Sequence, residues 1–302
     1  YLLGIVSIRY LTEYMKRNET IKAQQQALLQ SEKKEKENLE KVIEMKDEFL
    51  SLISHEFKTP LTVINSALQV MELLYNDQIA DKIKTYLDKI KQNTYRQVRL
   101  VNNLLDITCV QAGHIKVNMK DLDIIFITNT IMESVRVYAQ QKGVNIYFKA
   151  DQKEKVIALD EEKYERILLN LLSNAIKFTP KDKSITVEIT SKSEKVIVLV
   201  KDEGIGIPDE KRELIFERFG QVDSSYTRQA EGSGIGLYLV KLMVNAIGGC
   251  ISFESQVGIG SSFFVELPNM MIGEEQSVET LKELIDTRLI QSIAVEFSDI
   301  YF

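Results

Sequence analysis

The chain has 302 residues, enough for two domains at roughly 150 residues each with room for an extra helix or tail. Hydrophobic residues make up 44% and charged residues 27%, which excludes a disordered chain, a collagen-like repeat and a polytopic membrane protein. Lys+Arg 38 against Asp+Glu 44 leaves a net charge of -6, so nothing global draws the chain to nucleic acid, and none is expected as a partner.

In chain order, residues 1–18 open with the apolar run Tyr1 to Ile8, closed by Arg9, Lys16 and Arg17. The run is too short to span a bilayer, which takes about 20 residues. Its basic flank fits the last turns of a membrane helix with the rest of the chain on the cytoplasmic side; a frayed helix start is the plainer alternative. Residues 19–44 lack Gly and Pro, and a seven-residue seam runs through Ile21, Leu28, Leu39, Val42, Phe49 and Ile53. Gln25, Glu32, Glu35 and Lys46 fall on the same seam, so a long coiled-coil helix weak in its middle is expected.

Residues 45–112 carry two long helical patterns joined near Asn76-Asp77, the second with Ile83, Leu87, Ile90, Val101 and Leu104 on one side. Such a helical hairpin must bury its stripe against another, and a dimeric four-helix bundle is the economical solution. From Gly113 to 268, strands and helices alternate. Strands are expected at 145–149, 156–159, 184–190, 196–201, 251–254 and 262–267, and helices at 127–141, 161–176 and 235–246. A tight turn at Ser193-Glu194 makes part of the sheet antiparallel, so the class is α+β. In the tail, 269–302, Ser277 caps a short helix lined by Val278, Leu281 and Ile285, while Ile293, Val295 and Phe297 alternate like a strand; both are expected to fold back. Cys109 and Cys250 match no metal spacing and read as half-buried thiols of a reducing compartment.

Four constellations carry chemistry. Ser54-His55-Glu56-Phe57-Lys58-Thr59-Pro60 lies within the first hairpin helix. A neutral imidazole is a competent nucleophile toward phosphorus when a carboxylate such as Glu56 holds its other proton. Pro60 lacks an N–H and frees the carbonyl of Glu56, which puts a hinge beside the histidine. His114, the other histidine, reads as surface linker. Asn170 and Asn174, four apart, share a helix face; amide oxygens suit Mg²⁺ when phosphates and water complete the shell, and Lys177 adds a point charge. Helix capping would equally explain paired asparagines. Asp202-Glu203-Gly204-Ile205-Gly206-Ile207 follows a strand, where a carboxylate can accept from an exocyclic amine and glycines let backbone approach a base. Gly232-Ser233-Gly234-Ile235-Gly236-Leu237 opens a helix with free N–H groups suited to phosphate. Phe216-Glu217-Arg218-Phe219 leads into a polar stretch from Gly220 to Gly232, long enough for a lid.

In this order and spacing the motifs resemble those of sensor histidine kinases of bacterial two-component systems, over about residues 45 to 268. The resemblance implies a dimerisation and phosphotransfer hairpin followed by a two-layer sandwich of the GHKL type that binds ATP and Mg²⁺. It makes His55 the phosphoacceptor, Glu56 its orienting base and Thr59 the group that positions water for dephosphorylating a partner. Asn174 becomes the principal Mg²⁺ ligand with Asn170 assisting. Lys177, Gly234 and Gly236 lie at the phosphates, Asp202 at the adenine amine, Gly204 and Gly206 beside the base, and Arg218 at the transferred phosphoryl, with Ile207 and Leu237 further ATP-binding residues. The implied partners are a second copy and a separate response regulator, and the parent is a membrane-bound sensor whose kinase portion is cytoplasmic. Gly220 stands where many members have tyrosine, which bears on lid packing. The rival GHKL ATPases carry a glutamate as water base four residues before the metal asparagine; here that position is Asn170, which cannot deprotonate water. A second rival, a pseudokinase that only switches a coiled coil, has every catalytic position filled against it.

Overall fold

The computed structural model describes residues 56–74, 81–111, 116–217, 234–273 and 289–298, and the single positions Met15, Lys22, Leu29, Lys33, Lys36 and Ile79. The chain divides into two units, Tyr1–Ile53 and Ser54–Phe302. In the first, the described positions are all helical and exposed. The expected membrane-helix end, the coiled-coil seam and the hairpin turn at Asn76-Asp77 lie outside the described residues.

The second unit opens with a helical hairpin, α1 (residues 56–74) and α2 (Asp81–Gln111). Helix α1 continues through Pro60, and two groups there compete with its hydrogen-bond ladder. Pro60 offers no N–H to the Glu56 carbonyl, and the Thr62 hydroxyl donates to the Lys58 carbonyl at 2.8 Å. Lys91 Nζ reaches both carboxylate oxygens of Glu72, at 2.9 and 2.6 Å, and ties the helices together. Leu61, Leu68 and Ile107 point inward and are buried. Phe57, Val63, Val70, Leu73, Leu74, Ile83, Tyr86 and Ile90 remain exposed, Leu73 at 84%. Two helices alone have no interior for so wide an apolar stripe.

The sandwich follows as β1 (Lys120–Asp123), α3 (Ile124–Gln141), β2 (Asn145–Ala150), β3 (Val156–Leu159), α4 (Glu161–Phe178), β4 (Ser184–Ser191), β5 (Lys195–Asp202), α5 (Gly236–Ala246), β6 (Cys250–Gln256) and β7 (Gly260–Pro268). The main sheet runs β2-β4-β5-β7-β6; β2 and β4 are parallel and every other pair is antiparallel. Period-two alternation puts Ile185, Val187 and Ile189 of β4, Val196, Val198 and Val200 of β5, and Val265 and Leu267 of β7 into one buried layer. Helices α3, α4 and α5 pack on the sheet, giving the α+β two-layer architecture expected from the pattern. Helices α3 and α4 start where aspartates cap them. Asp123 accepts from the N–H of Ile125, and Asp160, 3% exposed, accepts from the N–H of Lys163.

Other findings add to the sequence reading or depart from it. A strand at Lys120–Asp123 pairs antiparallel with β3 as a separate two-stranded sheet that the pattern did not announce. The chain beyond Pro268 stays on the sandwich: Ala158 donates its N–H to the Met270 carbonyl at 2.7 Å, and the Asp121 carboxylate accepts from Ile272 and Gly273 at 2.9 and 2.7 Å. The expected strand of Ile293, Val295 and Phe297 is instead a helix, α6 (residues 289–296), with Leu289, Ile293 and Phe297 buried at a four-residue spacing. The short helix expected from Ser277 lies outside the described residues. Both cysteines are exposed rather than half-buried.

Leu172, on α4, is 0% exposed between sheet and helices. Leu172→Ala should cost about 2–5 kcal/mol in urea unfolding of the chain, through lost transfer energy and the cavity left behind.

Candidate active site

Helix α4 is the rail along which the site is built. Asn170 is 1% exposed, and its Nδ2 donates to the Arg166 carbonyl at 3.0 Å. That bond orients the amide, leaving Oδ1 buried and without a hydrogen-bond partner. The oxygen faces the start of α5: a Cβ built on Gly236 would lie 2.8 Å from it. Any side chain at Gly236 therefore collides with the amide or fills the space in front of it. Asn174 lies one turn further along α4 and is half-buried, as are Gly234 and Leu237. At the helix end Lys177 sits over the Phe178 ring, its Nζ 5.7 Å from the centroid. Lys142 from α3 donates to the Ile176 carbonyl at 2.5 Å and to the Lys177 carbonyl, closing the C-terminus of α4; burial pulls its ammonium pKa down.

The glycine loop after β5 rests on that same helix end, about 12 Å along α4 from Asn170 at 1.5 Å per residue. Asp202 is 7% exposed and accepts the N–H of Gly204 at 2.8 Å and of Ser261 at 3.2 Å. Burial pushes its carboxyl pKa up, and the two N–H bonds offset only part of this. Ile205 donates its N–H to the Phe178 carbonyl, and Ile207 donates to Ser255 Oγ at 2.8 Å. Ser255 in turn bonds the Gly260 carbonyl and the Ser261 hydroxyl, each at 3.0 Å. Gly206 has φ 71°, and a Cβ there would fall 2.1 Å from the Gln256 carbonyl oxygen. Only glycine fits, both for its left-handed backbone and for its close approach to β6.

Of the sequence-derived site residues, α4 and its neighbours thus gather Asn170, Asn174, Lys177, Asp202, Gly204, Gly206, Ile207, Gly234, Gly236 and Leu237. Glu56 and Thr59 are exposed in the first turns of α1. His55 and Arg218 lie outside the described residues, as do His114 and the stretch from Gly220 to Gly232. Phe216 packs edge-on against Phe253 at 5.7 Å, and Lys241 Nζ lies over the Phe216 ring, 5.8 Å from its centroid.

Sequence reasoning missed Ser255 and Ser261, which form no motif and matter only because strand register puts Ser261 opposite Asp202. It also missed Arg166. That guanidinium donates to the Asn103 Oδ1 of α2 at 3.1 Å and pairs with Asp106, while its own carbonyl holds Asn170. Burial raises the Asp106 pKa, and the Arg166 charge works against it. Among the described residues no three His, Cys, Asp or Glu side chains cluster to hold a metal.

Because the folded-state pKa of Asp202 is raised, its stabilising contribution is full below the ordinary aspartate value and is lost as pH rises through the raised one. Between those two values the chain without nucleotide should therefore lose stability with rising pH, and Asp202→Asn should remove this component of a Tm-against-pH curve. Gly206→Ala should lower Tm at every pH, since strain and clash at that position do not titrate.

The His Kinase A (phospho-acceptor) domain matches residues 45–113, and the histidine kinase-, DNA gyrase B- and HSP90-like ATPase family matches residues 159–270. The circadian input-output histidine kinase CikA of Synechococcus elongatus is 31% identical over 76% of this chain and 31% of its own length. The sensor protein SrrB of Staphylococcus aureus is 30% identical over 74% of this chain and 38% of its own. The chain thus spans about a third of the length of these two curated relatives. Full-length ShkA, solved in complex with AMPPNP, superposes with a TM-score of 0.63 at 27% identity, over 75% of this chain and 47% of that one. With a phosphoacceptor domain and a GHKL-type ATPase domain in the order its motifs announced, the chain belongs to the sensor histidine kinases.

Proposed function

We propose that the chain binds ATP in the α4–α5 cleft, phosphorylates its own His55 and passes the phosphoryl group to an aspartate of a separate response regulator. One observation carries this reading. The amide oxygen of Asn170 is buried, unpartnered and aimed at the N-terminal turn of α5, where phosphates are favoured, and it is not the carboxylate that water activation would need. A buried acceptor left unpaired is costly, so a ligand that satisfies it recovers that cost.

Asn170 and Asn174 would hold Mg²⁺ together with phosphate oxygens and water, in keeping with the absence of an acidic cluster among the described residues. When bound, the ion neutralises charge on the phosphates. Asp202 accepts from the adenine amine, Gly204, Gly206 and Ile207 border the base, and Lys177, Gly234, Gly236 and Leu237 border the phosphates. An imidazole nitrogen of His55 attacks the γ-phosphorus, the P–N bond forms as the bond to the β-phosphate oxygen breaks, and ADP leaves. Glu56 holds the proton of the other imidazole nitrogen, and Arg218 is the cation for charge on the transferred group. Positioning and charge supply the acceleration, so no water base is needed.

A homodimer is supported by the exposed apolar stripe of α1 and α2. Thr59, exposed on α1 and four residues after His55 in sequence, serves dephosphorylation of the regulator. Anchoring of a longer parent in a membrane, with the kinase portion on its cytoplasmic side, rests on Tyr1 to Ile8 and the basic residues after it. Among the described residues, no helix is long and apolar enough to cross a bilayer.

Incubation with ATP and Mg²⁺ should yield acid-labile, base-stable phosphate on the chain, and His55→Gln should abolish it while nucleotide binding persists. Label retained on that variant would remove His55 from the role. ATP affinity should fall as pH drops through the raised pKa of Asp202, because the protonated carboxyl no longer offers the amine a charged acceptor; Asp202→Ala should bind weakly at all pH values. Thr59→Ala should keep autophosphorylation and slow decay of the phosphorylated regulator.

A further inference from the structure

Helix α6 seats where the hairpin meets the sandwich, and it holds both. Its buried stripe of Leu289, Ile293 and Phe297 faces inward, and the Phe297 ring lies 5.0 Å from the ring of Tyr138 on α3. From α4, Ser173 Oγ donates to the Glu296 main-chain carbonyl at 3.0 Å. The Glu296 side chain goes the other way: Oε2 lies 2.8 Å from Arg99 Nε of α2, a close ion pair bent away from a linear hydrogen bond. Arg99 is 8% exposed and Glu296 3%, so this charge pair is withdrawn from water and from salt screening. A single residue of the tail thus fastens the sandwich with its backbone and the hairpin with its side chain.

The hairpin register makes the position of this fastening matter. The Lys91–Glu72 contact puts Arg99 about level with Ile64 and Asp106 about level with Phe57, at the end of the hairpin where the His55 motif begins. Among the described residues, the ion pairs from α4 and α6 reach the hairpin on α2, at Asp106 and Arg99, whereas His55 directly precedes the described part of α1 in sequence. On the function proposed above, His55 must first receive a phosphoryl group from nucleotide bound in the sandwich and then present it to a regulator. The sandwich therefore needs more than one position on the hairpin, and an element that fastens it to α2 favours one of them.

We propose that α6 is an autoinhibitory clamp, which braces the ATP-binding sandwich on α2 through Glu296 and holds back its delivery of phosphate to His55. This rests on the kinase reading, but the clamp itself is physical and can be observed without catalysis. Weakening it frees the sandwich and speeds phosphorylation; Glu296 and Arg99 lie outside the nucleotide site, and Glu296→Gln leaves in place the Arg166–Asp106 pair and the Arg166 carbonyl that holds Asn170.

The test compares the full chain with Glu296→Gln, with a chain ended after Gly273, and with Ile290→Ser as control, Ile290 being 68% exposed on α6. Amide hydrogen exchange over residues 95–108 reports the clamp, and the initial rate of phosphorylation at saturating ATP and Mg²⁺ reports its consequence. Faster exchange in both variants, with a rate raised about fivefold or more, the low end of ordinary coupling between sites, is the expected result. ATP affinity of Glu296→Gln should be unchanged, and so should every reading of the control. Faster exchange with an unchanged or lower rate would overturn the inhibitory role, and unchanged exchange would overturn the clamp. If the shortened chain fails to fold, the isosteric Glu296→Gln decides. If the full chain is never phosphorylated, the kinase reading fails, while exchange still decides whether the clamp exists.

Discussion

Helix α4 has almost no face left for water, and that constraint organises the molecule. Tyr164, Ile167, Leu168, Leu171 and Leu172 are buried in the core, yet Glu165, Asn170 and Ser173 are buried as well. A polar group in such a place must find a partner or pay desolvation in full. Arg166 turns to α2, Ser173 to α6, and Tyr164 shares a 2.5 Å hydrogen bond with Thr128 of α3. The helix is thereby bonded sideways to three different elements. Only one acceptor on it, the Asn170 oxygen, is left buried with nothing to satisfy it.

The same arrangement joins the site to the hairpin over a short path. The Arg166 side chain is held by Asn103 and Asp106, and the carbonyl of that residue fixes the Asn170 amide. A shift of α2 against α4 bears directly on the helix turn that carries the candidate metal asparagine. Asp106 adds a cost of its own, since burial already disfavours its charge and the guanidinium compensates for it.

Much of this was legible in the sequence. Strands β4, β5 and β7 alternate with period two, β3 is a short apolar run, and the helices between the strands carry the 3.6-residue stripe, so tertiary packing had little to overrule. The site motifs were legible because glycines at Gly206 and Gly236 answer to backbone geometry and close approach, which sequence records faithfully. What was hidden depended on partners remote in sequence. Strand β1 is four residues of which Lys120, Asp121 and Asp123 are charged, and it exists because β3 pairs with it. Residues 293, 295 and 297 alternate, but Leu289, Ile293 and Phe297 also stand four apart, and only the cleft between α2, α3 and α4 selects the helical option. Nothing local could reveal that Arg166 would meet Asp106, 60 residues away.

The exposed stripe on α1 and α2 has a thermodynamic consequence. Apolar surface of that extent contributes to stability only when something covers it, at about 25 cal/mol per Å². If a second hairpin supplies the cover, the stability of this region contains a mass-action term. Two proteins with the same fold at different expression levels would then differ in how firmly the hairpin holds together. A membrane that confines such chains to a surface would raise their effective concentration, and so strengthen the hairpin before any signal arrives.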